Sequence, residues 1–358
     1  MSGNQLKLEI EKAILSISRS LVIISILFIV VALVFIGTLI DSGMRPSKIS
    51  VQPFSSGSAP IVPPAEPQSV KISSTLWTAP ESSNLPAGKD GEEILYGKDL
   101  IANTSAYLGP NGKVAAISNG MNCQNCHLDA GTKPWGNNYS AVYSTYPKFR
   151  ARSGTNETIV KRINNCFERS LNGRALDSDS KEMTALLAYM KWLGTGIQKG
   201  KTPDGAGIQK LVYLDRAADP KKGAIAYSGK CQSCHGQNGE GLANSEKTGY
   251  LYPPLWGKHS YNDGAGLFRL SRFAGYVKNN MPWGATYETT QLSDEEAWDV
   301  AAYVNSQVRP HKDQKNDWKD VSKKPVDFPF APYADKFSEA QHKYGPYEPI
   351  EKFYRNAN

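Results

Sequence analysis

The sequence is poor in the residues that usually carry redox and metal chemistry, with five cysteines and five histidines among 358 residues. It also lacks a block of like charge, because its basic residues are scattered along the chain. Proteins that bind nucleic acid usually show a basic patch or stripe, so we expect no nucleic acid partner. The net charge of +7 instead favours anionic substrates or an acidic protein partner.

Four of the five cysteines belong to two Cys-x-x-Cys-His pentads, at residues 123–127 and 231–235. This pattern is the signature of covalent attachment of a c-type haem. Two thiols three positions apart on a helical turn can reach the two vinyl groups of one porphyrin, and the histidine that follows can bind the iron. The sequence therefore predicts two haem c groups, the first held by Cys123, Cys126 and His127 and the second by Cys231, Cys234 and His235.

Other uses of paired cysteines fit this sequence less well. A zinc ribbon normally has roughly 15–20 residues between its cysteine pairs, whereas Cys126 and Cys231 lie in different halves of this chain. A thioredoxin-like redox pair would need a βαβ pattern around it, and the sequence has none. Simple disulfides would leave the two histidines of the pentads unexplained. These comparisons favour haem attachment.

Residues 21–40 form an unbroken apolar run without a charge, LVIISILFIVVALVFIGTLI. At about 1.5 Å rise per residue, a helix of this length crosses a hydrocarbon core of about 30 Å. A cleaved signal peptide is the alternative, but it would have a shorter apolar core and a cleavage site of small residues. We expect an uncleaved anchor behind a cytoplasmic segment at 1–20. Because bacterial c-type haems are attached outside the cytoplasmic membrane, we expect a single-pass inner-membrane protein with its haem domains in the periplasm.

The composition divides the remaining chain into four parts. Residues 41–91 are rich in proline and serine, as in an extended linker. We expect a first cytochrome c-type domain at 92–200, a second at 201–309, and a tail at 310–358 that wraps over both. The predicted fold is therefore mainly α, with two haem domains in tandem behind an N-terminal transmembrane helix.

Helix signals repeat in the two domains. Apolar periodicity predicts a helix over residues 155–171, and a capping box at Asp179 opens a second helix that Gly194 ends. In the second domain, Asp219 before a proline predicts the start of a helix, and a capping box at Ser293 opens the closing helix. Met183, on the apolar stripe of its helix, is expected in the core.

The sixth ligand of each haem iron sets its chemistry. The first domain has no histidine besides His127, so its haem needs another ligand. Cys166 is a candidate, because Arg162, Cys166 and Ser170 fall on one face of the predicted helix. Its flanking residues Arg162 and Arg169 would favour the thiolate. A buried, inert cysteine is the alternative.

For the second haem, Met281 is the favoured sixth ligand, since it precedes Pro282 in the loop before the closing helix. His259 is the rival ligand, and simple packing of Met281 in its loop is the third possibility. A thiolate lowers the reduction potential of a haem and a thioether raises it. Electrons should therefore run from the first haem to the second.

The chain resembles the thiosulfate dehydrogenase family of dihaem cytochromes c over about residues 77–350. Besides the pentads, the resemblance is carried by residues 162–173 (RINNCFERSLNG), 189–193 (YMKWL) and 341–347 (QHKYGPY). It implies that two thiosulfates couple to tetrathionate with release of two electrons, or the reverse. It also implies that a c-type cytochrome or another periplasmic redox protein accepts the electrons.

The resemblance further implies roles for individual residues. Cys166 would be the sixth haem ligand inside the active site, and Arg152, Arg162 and Ser170 would hold the substrate. Asn280 stands where some members of the family carry a lysine, so a switch between lysine and methionine ligands is not expected. The membrane anchor departs from the soluble members.

Two other functions fit parts of the pattern. A membrane-anchored dihaem electron carrier without substrate chemistry is the main alternative, but such a carrier needs no thiolate ligand beside arginines. A dihaem peroxidase is a third possibility, and it normally needs more histidines than the first domain offers.

Overall fold

The computed structural model describes residues 76–357. The predicted cytoplasmic segment, the predicted anchor at 21–40 and most of the predicted linker lie outside these residues. Within the described range, no helix has both the length and the apolar character needed to cross a membrane. The described part is mainly helical and contains two short two-stranded antiparallel sheets.

The elements are numbered here in chain order. The α-helices are α1 Lys89–Ala102, α2 Thr104–Leu108, α3 Leu128–Gly131, α4 Val142–Thr145, α5 Ile159–Arg169, α6 Lys181–Leu193, α7 Pro220–Lys230, α8 Gln232–His235, α9 Leu270–Asn280, α10 Asp294–Ser306, α11 Glu339–Tyr344 and α12 Glu348–Ala357. Single 3₁₀ turns span Ser82–Asn84, Cys123–Asn125, Gly266–Phe268 and Val321–Lys323. The strands β1 Lys148–Arg150 and β2 Thr155–Glu157 pair with each other, as do β3 Leu242–Ala243 and β4 Tyr250–Tyr252.

The two halves repeat one packing motif, in which the helix before a pentad crosses the closing helix of the same half. Helix α1 packs on α6, and α7 packs on α10. A glycine marks each crossing. A Cβ on Gly97 would lie 2.0 Å from the carbonyl oxygen of Ala185, and a Cβ on Gly223 would lie 1.9 Å from that of Asp299. Only glycine allows the two backbones of each pair to approach this closely.

Caps define the ends of these helices. Asp219 accepts hydrogen bonds from the first turn of α7, and Ser293 with Glu296 forms the predicted capping box of α10. The predicted start of α6 at Asp179 is wrong by one residue, because the hydroxyl of Ser180 accepts from the amide of Met183. Gly194 ends α6 as expected.

Three other sequence expectations need correction. The helix predicted at 155–171 is shorter, because residues 155–157 form β2 and Thr158 caps α5. Helix α1 begins at Lys89, inside the predicted linker at 41–91, with two acidic residues in its first turn. No helix was predicted in the tail, but it contains α11 and α12.

The tail contacts both halves of the molecule. In the second half, Tyr347 and Ile350 are buried in the same apolar core as Trp298 of α10. In the first half, the backbone amide of Trp318 donates to the carbonyl oxygen of Arg152 at 2.7 Å. The tail therefore fixes part of the first domain as well as closing the second.

Candidate haem sites and active site

A cavity of 520 Å³ lies at the second pentad and extends to Asn125 and Cys126 of the first. Its size falls in the range of roughly 300–1,000 Å³ that is usual for cofactor and ligand sites. Cys231, Cys234 and His235 line it, and Met281 lines it from the end of α9. Aromatic and aliphatic side chains form most of the remaining wall, among them Tyr227, Phe273, Leu292 and Val300. The thiol pair, the histidine and the apolar wall fit a covalently attached haem.

His235 is held in an orientation suited to iron ligation. Its Nδ1 lies 2.9 Å from the backbone carbonyl oxygen of Pro253, so Nδ1 carries the proton and Nε2 is left to bind metal. Burial lowers the pKa of the imidazole, although the bond to Pro253 opposes this. The side chain is therefore neutral at physiological pH, the form that ligates metals.

Met281 and His259 differ in their relation to this cavity. Met281 is half-buried and packs against the second apolar core. His259 is exposed and does not belong to the residues that line the cavity. The neighbouring Asn280 is buried, and its amide donates to the carbonyl oxygens of Tyr276 and Trp135. This residue therefore joins α9 to the first domain.

The first pentad shows the same histidine arrangement. His127 Nδ1 lies 2.5 Å from the carbonyl oxygen of Asn137, and the imidazole stacks on the ring of Tyr139 with 4.4 Å between centroids. Burial lowers the pKa of His127 to about 4. Nε2 of a neutral imidazole is again the nitrogen available to a metal. The first pentad therefore also fits a haem.

Cys166 lies close to the two haem-attachment cysteines of the first pentad. Burial raises the pKa of Cys123 and of Cys126 to about 12, and the charge of Cys166 adds to the effect in both. Helix α5 is fixed on its other side by Asn164, whose amide donates to and accepts from the backbone of Leu176 at 2.9 Å. The structure thus places the fifth cysteine near the first pentad.

Arg162 lies beside Cys166, and Arg152 lies near Arg162. The negative charge of Cys166 is the main cause that raises the pKa of Arg162. Burial lowers the pKa of Arg152 to about 10, and the positive charges of Arg169 and Arg162 add to that. Ser170 follows α5 directly, and its amide donates to the carbonyl oxygen of Cys166 at 2.8 Å. The four predicted residues of the active site therefore occupy one region.

Arg169, the other arginine expected to act on Cys166, has a different partner. It is buried, and its two terminal nitrogens lie 2.9 Å from the two carboxylate oxygens of Asp317. A carboxylate at this distance neutralises most of its charge. Arg162, by contrast, has no ion pair among residues 76–357, and its charge is coupled to that of Cys166.

Two acidic residues near the site were missed in the sequence. Asp317 lies in the tail, and no local pattern links it to Arg169. Glu157 ends β2 with 1% exposure, and one of its oxygens has no hydrogen-bond partner within the described residues. Its charge acts on both Arg152 and Arg162. Strand β2, which carries Glu157, falls inside the helix predicted at 155–171.

The two halves of the chain match known cytochrome families. A family model described as "SoxA/TsdA, cytochrome c domain" matches residues 113–198, and one described as "Cytochrome c" matches residues 220–307. A thiosulfate dehydrogenase of Allochromatium vinosum is 40% identical over 237 residues, covering 65% of this chain and 84% of that protein. A thiosulfate dehydrogenase of Psychrobacter arcticus is 38% identical over 242 residues, covering 67% of this chain and 70% of that protein.

One solved structure has a similar fold, "Thiosulfate dehydrogenase (TsdBA)" from Marichromatium purpuratum in its as-isolated form. It superposes with a TM-score of 0.62 at 33% sequence identity and covers 67% of this chain. This chain spans half of the length of that solved chain. Two cytochrome c domains, each with a complete pentad, imply two c-type haems.

Proposed function

This chain belongs to the thiosulfate dehydrogenase family, and on that premise we propose that it couples two thiosulfate ions to tetrathionate at Cys166. The observation that carries the proposal is that the charge of Cys166 acts both on the thiols of the first pentad and on Arg162, which has no ion pair within residues 76–357. A thiolate held there can act as a nucleophile towards sulfur. An electron carrier would need neither this thiolate nor the arginines beside it.

The proposed reaction has two steps, and the charges balance in each. First, the Cys166 thiolate and the outer sulfur of one thiosulfate form an S–S bond, which leaves a thiosulfonate on Cys166 and releases two electrons. Each bound haem supplies a one-electron acceptor for them. Second, the outer sulfur of another thiosulfate attacks the sulfur bonded to Cys166, the bond to Cys166 breaks, and tetrathionate leaves. The same steps in reverse reduce tetrathionate.

The arginines offset the charge that opposes this coupling. Two thiosulfates bring four negative charges together, and their Coulomb repulsion is strong in a partly buried site. Arg152 and Arg162 supply fixed positive charge beside the sulfur of Cys166. A guanidinium can also hold sulfonate oxygens in a bidentate manner. Ser170 offers a hydroxyl at the end of the same helix.

We assign the sixth iron ligands to Cys166 at the first haem and to Met281 at the second. The shared cavity of His235 and Met281 supports the second assignment. With both haems bound, the thioether of Met281 would raise the potential of the second haem relative to a first haem held by the Cys166 thiolate, and electrons would then move from the first haem to the second. Trp283 lines the same cavity as His235 and Met281 and is 85% exposed. This exposure supports electron exit to a c-type cytochrome or another redox protein.

We further propose that residues 21–40 anchor the chain in the inner membrane with both haem domains in the periplasm. The uncharged apolar run and the two haem pentads support this location. In spheroplasts of a haem-loading host, added protease should degrade the haem domains of the full chain. Protection of the domains until the membrane is lysed would contradict the proposal.

The central experiment measures turnover by the haem-loaded full chain in detergent, as wild type and as Cys166→Gly. Thiosulfate is assayed with an artificial electron acceptor and tetrathionate with a reduced donor. We expect activity in the wild type and a loss of roughly a thousandfold or more in the variant, since the nucleophile is removed. Haem absorbance should show two attached haems in both proteins.

Lys161→Gly is the matched control, because Lys161 is exposed on the same helix and the substitution introduces the same residue. It should keep wild-type turnover. A wild type that carries both haems and exchanges electrons with a cytochrome, yet turns over neither anion, would contradict the enzyme and leave the electron carrier. A Cys166→Gly variant with full activity would contradict the role of Cys166.

A further inference from the structure

Helix α9 of the second domain contacts the first haem site. The hydroxyl of Tyr276 donates to the carbonyl oxygen of Asn125, inside the first pentad, at 2.8 Å. One turn later, the amide of Asn280 donates to the carbonyl oxygen of Trp135 at 3.2 Å. Arg272 lies one turn before Tyr276, and residues four apart share a helix face. Arg272 therefore lies on the face of α9 that is turned towards the first domain.

Arg272 is a half-buried arginine without a counter-ion. Within residues 76–357, its guanidinium has no ion pair and no hydrogen bond to a protein atom. The neighbouring Arg269 shows the opposite case, since its Nε and Nη2 lie 2.8 and 2.5 Å from one oxygen of Asp327. The other oxygen of Asp327 accepts from the amide and hydroxyl of Ser271. Asp327 is therefore already engaged, and Arg272 is left with unbalanced charge.

The positive charge of Arg272 belongs to the same cluster as that of Arg162. Burial lowers the pKa of Arg272, and the nearby charges of Arg269, Arg150 and Arg162 lower it further, although Asp327 acts in the opposite direction. Arg162 in turn is coupled to Cys166. Half-buried cations that repel one another cost free energy unless an anion joins them. An anion bound between Arg162 and Arg272 would relieve this repulsion.

We propose that Arg272 of the second domain binds a sulfonate group of the substrate, so that the active site is completed across the boundary between the two domains. This inference rests on the proposed function. The coupling reaction must hold two sulfonates at once, one on each thiosulfate. Arg152 and Arg162 lie on the first domain with Cys166 and bind the thiosulfate that becomes attached to Cys166. Arg272 binds the second thiosulfate as it approaches from the side of α9.

The test compares the haem-loaded full chain as wild type, Arg272→Gln and Arg272→Lys. We expect Arg272→Gln to raise the KM for thiosulfate by roughly tenfold to hundredfold, the effect of one lost charge-assisted hydrogen bond. Isothermal titration of the oxidised protein with tetrathionate should show a similar loss of affinity without turnover. The lysine variant should recover part of both, because it keeps the charge and loses the bidentate geometry.

Mass spectrometry of Cys166 gives a further readout. Incubation of the oxidised protein with thiosulfate should still place a thiosulfonate on Cys166 in Arg272→Gln, since Arg272 serves the second ion. Arg174→Gln is the control, because Arg174 is exposed and, among the residues that the structure describes, its guanidinium bonds only the carbonyl oxygen of Ala116. It should leave the KM and the affinity unchanged.

The outcomes separate this inference from the proposed function. An active wild type with unchanged KM and unchanged tetrathionate affinity in Arg272→Gln would overturn the role of Arg272 and leave the function in place. A wild type without turnover or binding would overturn the function itself. If Arg272→Gln loses haem or unfolds, Arg272→Met replaces it in the test. A wild-type KM and a wild-type affinity for tetrathionate in Arg272→Met would overturn the inference.

Discussion

The guanidinium of Arg169 contacts both carboxylate oxygens of Asp317 at 2.9 Å and so joins the helix of Cys166 to the C-terminal tail. Arg169 is the last residue of α5, and Asp317 lies beside Trp318, whose amide bonds the carbonyl oxygen of Arg152. The tail therefore holds the ends of two segments that carry active-site residues. The shape of the site depends on residues far from it in the sequence.

We predict that Asp317→Asn destabilises the protein by about 3–5 kcal/mol, because it leaves the buried charge of Arg169 without its partner. Chemical denaturation followed by circular dichroism measures the change. Asp313→Asn is the control, since Asp313 pairs with Lys315 at an exposed position, and it should leave the midpoint unchanged. Equal midpoints for Asp317→Asn and the wild type would show that the ion pair does not stabilise the fold.

A second prediction concerns the crossing of α7 and α10. Gly223→Ala should destabilise the second domain by roughly 1–3 kcal/mol, because the new Cβ would overlap the carbonyl oxygen of Asp299 and force the helices apart. Gly229→Ala on the same helix meets no atom within 4 Å and should stabilise the protein by up to about 1 kcal/mol. Thermal unfolding of both variants checks the difference in sign. If Gly223→Ala stabilised the protein as much as Gly229→Ala, helix propensity and not the helix crossing would decide the outcome.

Much of the local structure could be predicted from the sequence, because its causes are local. The capping side chains of Asp219 and Ser293 bond amides only a few residues away. The burial of Met183 follows from the apolar stripe of its own helix. The pentads specify their chemistry within five residues.

The rest depends on contacts between distant segments, which a single sequence does not encode in a readable pattern. Nothing near Arg169 indicates its pairing with Asp317. The position of Arg272 follows from the bond between Tyr276 and Asn125, which are on different domains. The short β1–β2 hairpin was missed because the residues of β2 fit the start of the predicted helix, which left β1 without a partner strand.

A third prediction tests the ligand of the second haem. Met281→His should lower the reduction potential of that haem, since imidazole favours the ferric iron more than a thioether does. Redox titration followed by haem absorbance measures the potentials of both haems, and that of the first should stay unchanged. His259→Ala should have no effect, because His259 is exposed and outside the cavity. If His259→Ala changed the reduction potential of the second haem and Met281→His did not, the sixth ligand would be His259 and not Met281.

The pairing of Asp327 with Arg269 gives a prediction about pH. Burial opposes ionisation of Asp327, but the charge of Arg269 and the hydrogen bonds from Ser271 and Arg269 outweigh it and hold the pKa of the carboxyl below its usual range. As the pH falls, the unfolded chain therefore takes up this proton first, near pH 4. The stabilisation is complete above that pH and is lost as the pH falls through the lower pKa of the folded state.

Asp327→Asn should therefore unfold at a clearly lower temperature than the wild type at pH 7, and the gap between the two should narrow at pH 3. Thermal unfolding at both pH values measures the gap. Asp215→Asn, at an exposed position, should differ little from the wild type at either pH. A gap of the same size at pH 7 and pH 3 would mean that packing of the Asp327 side chain, and not its charge, stabilises the protein.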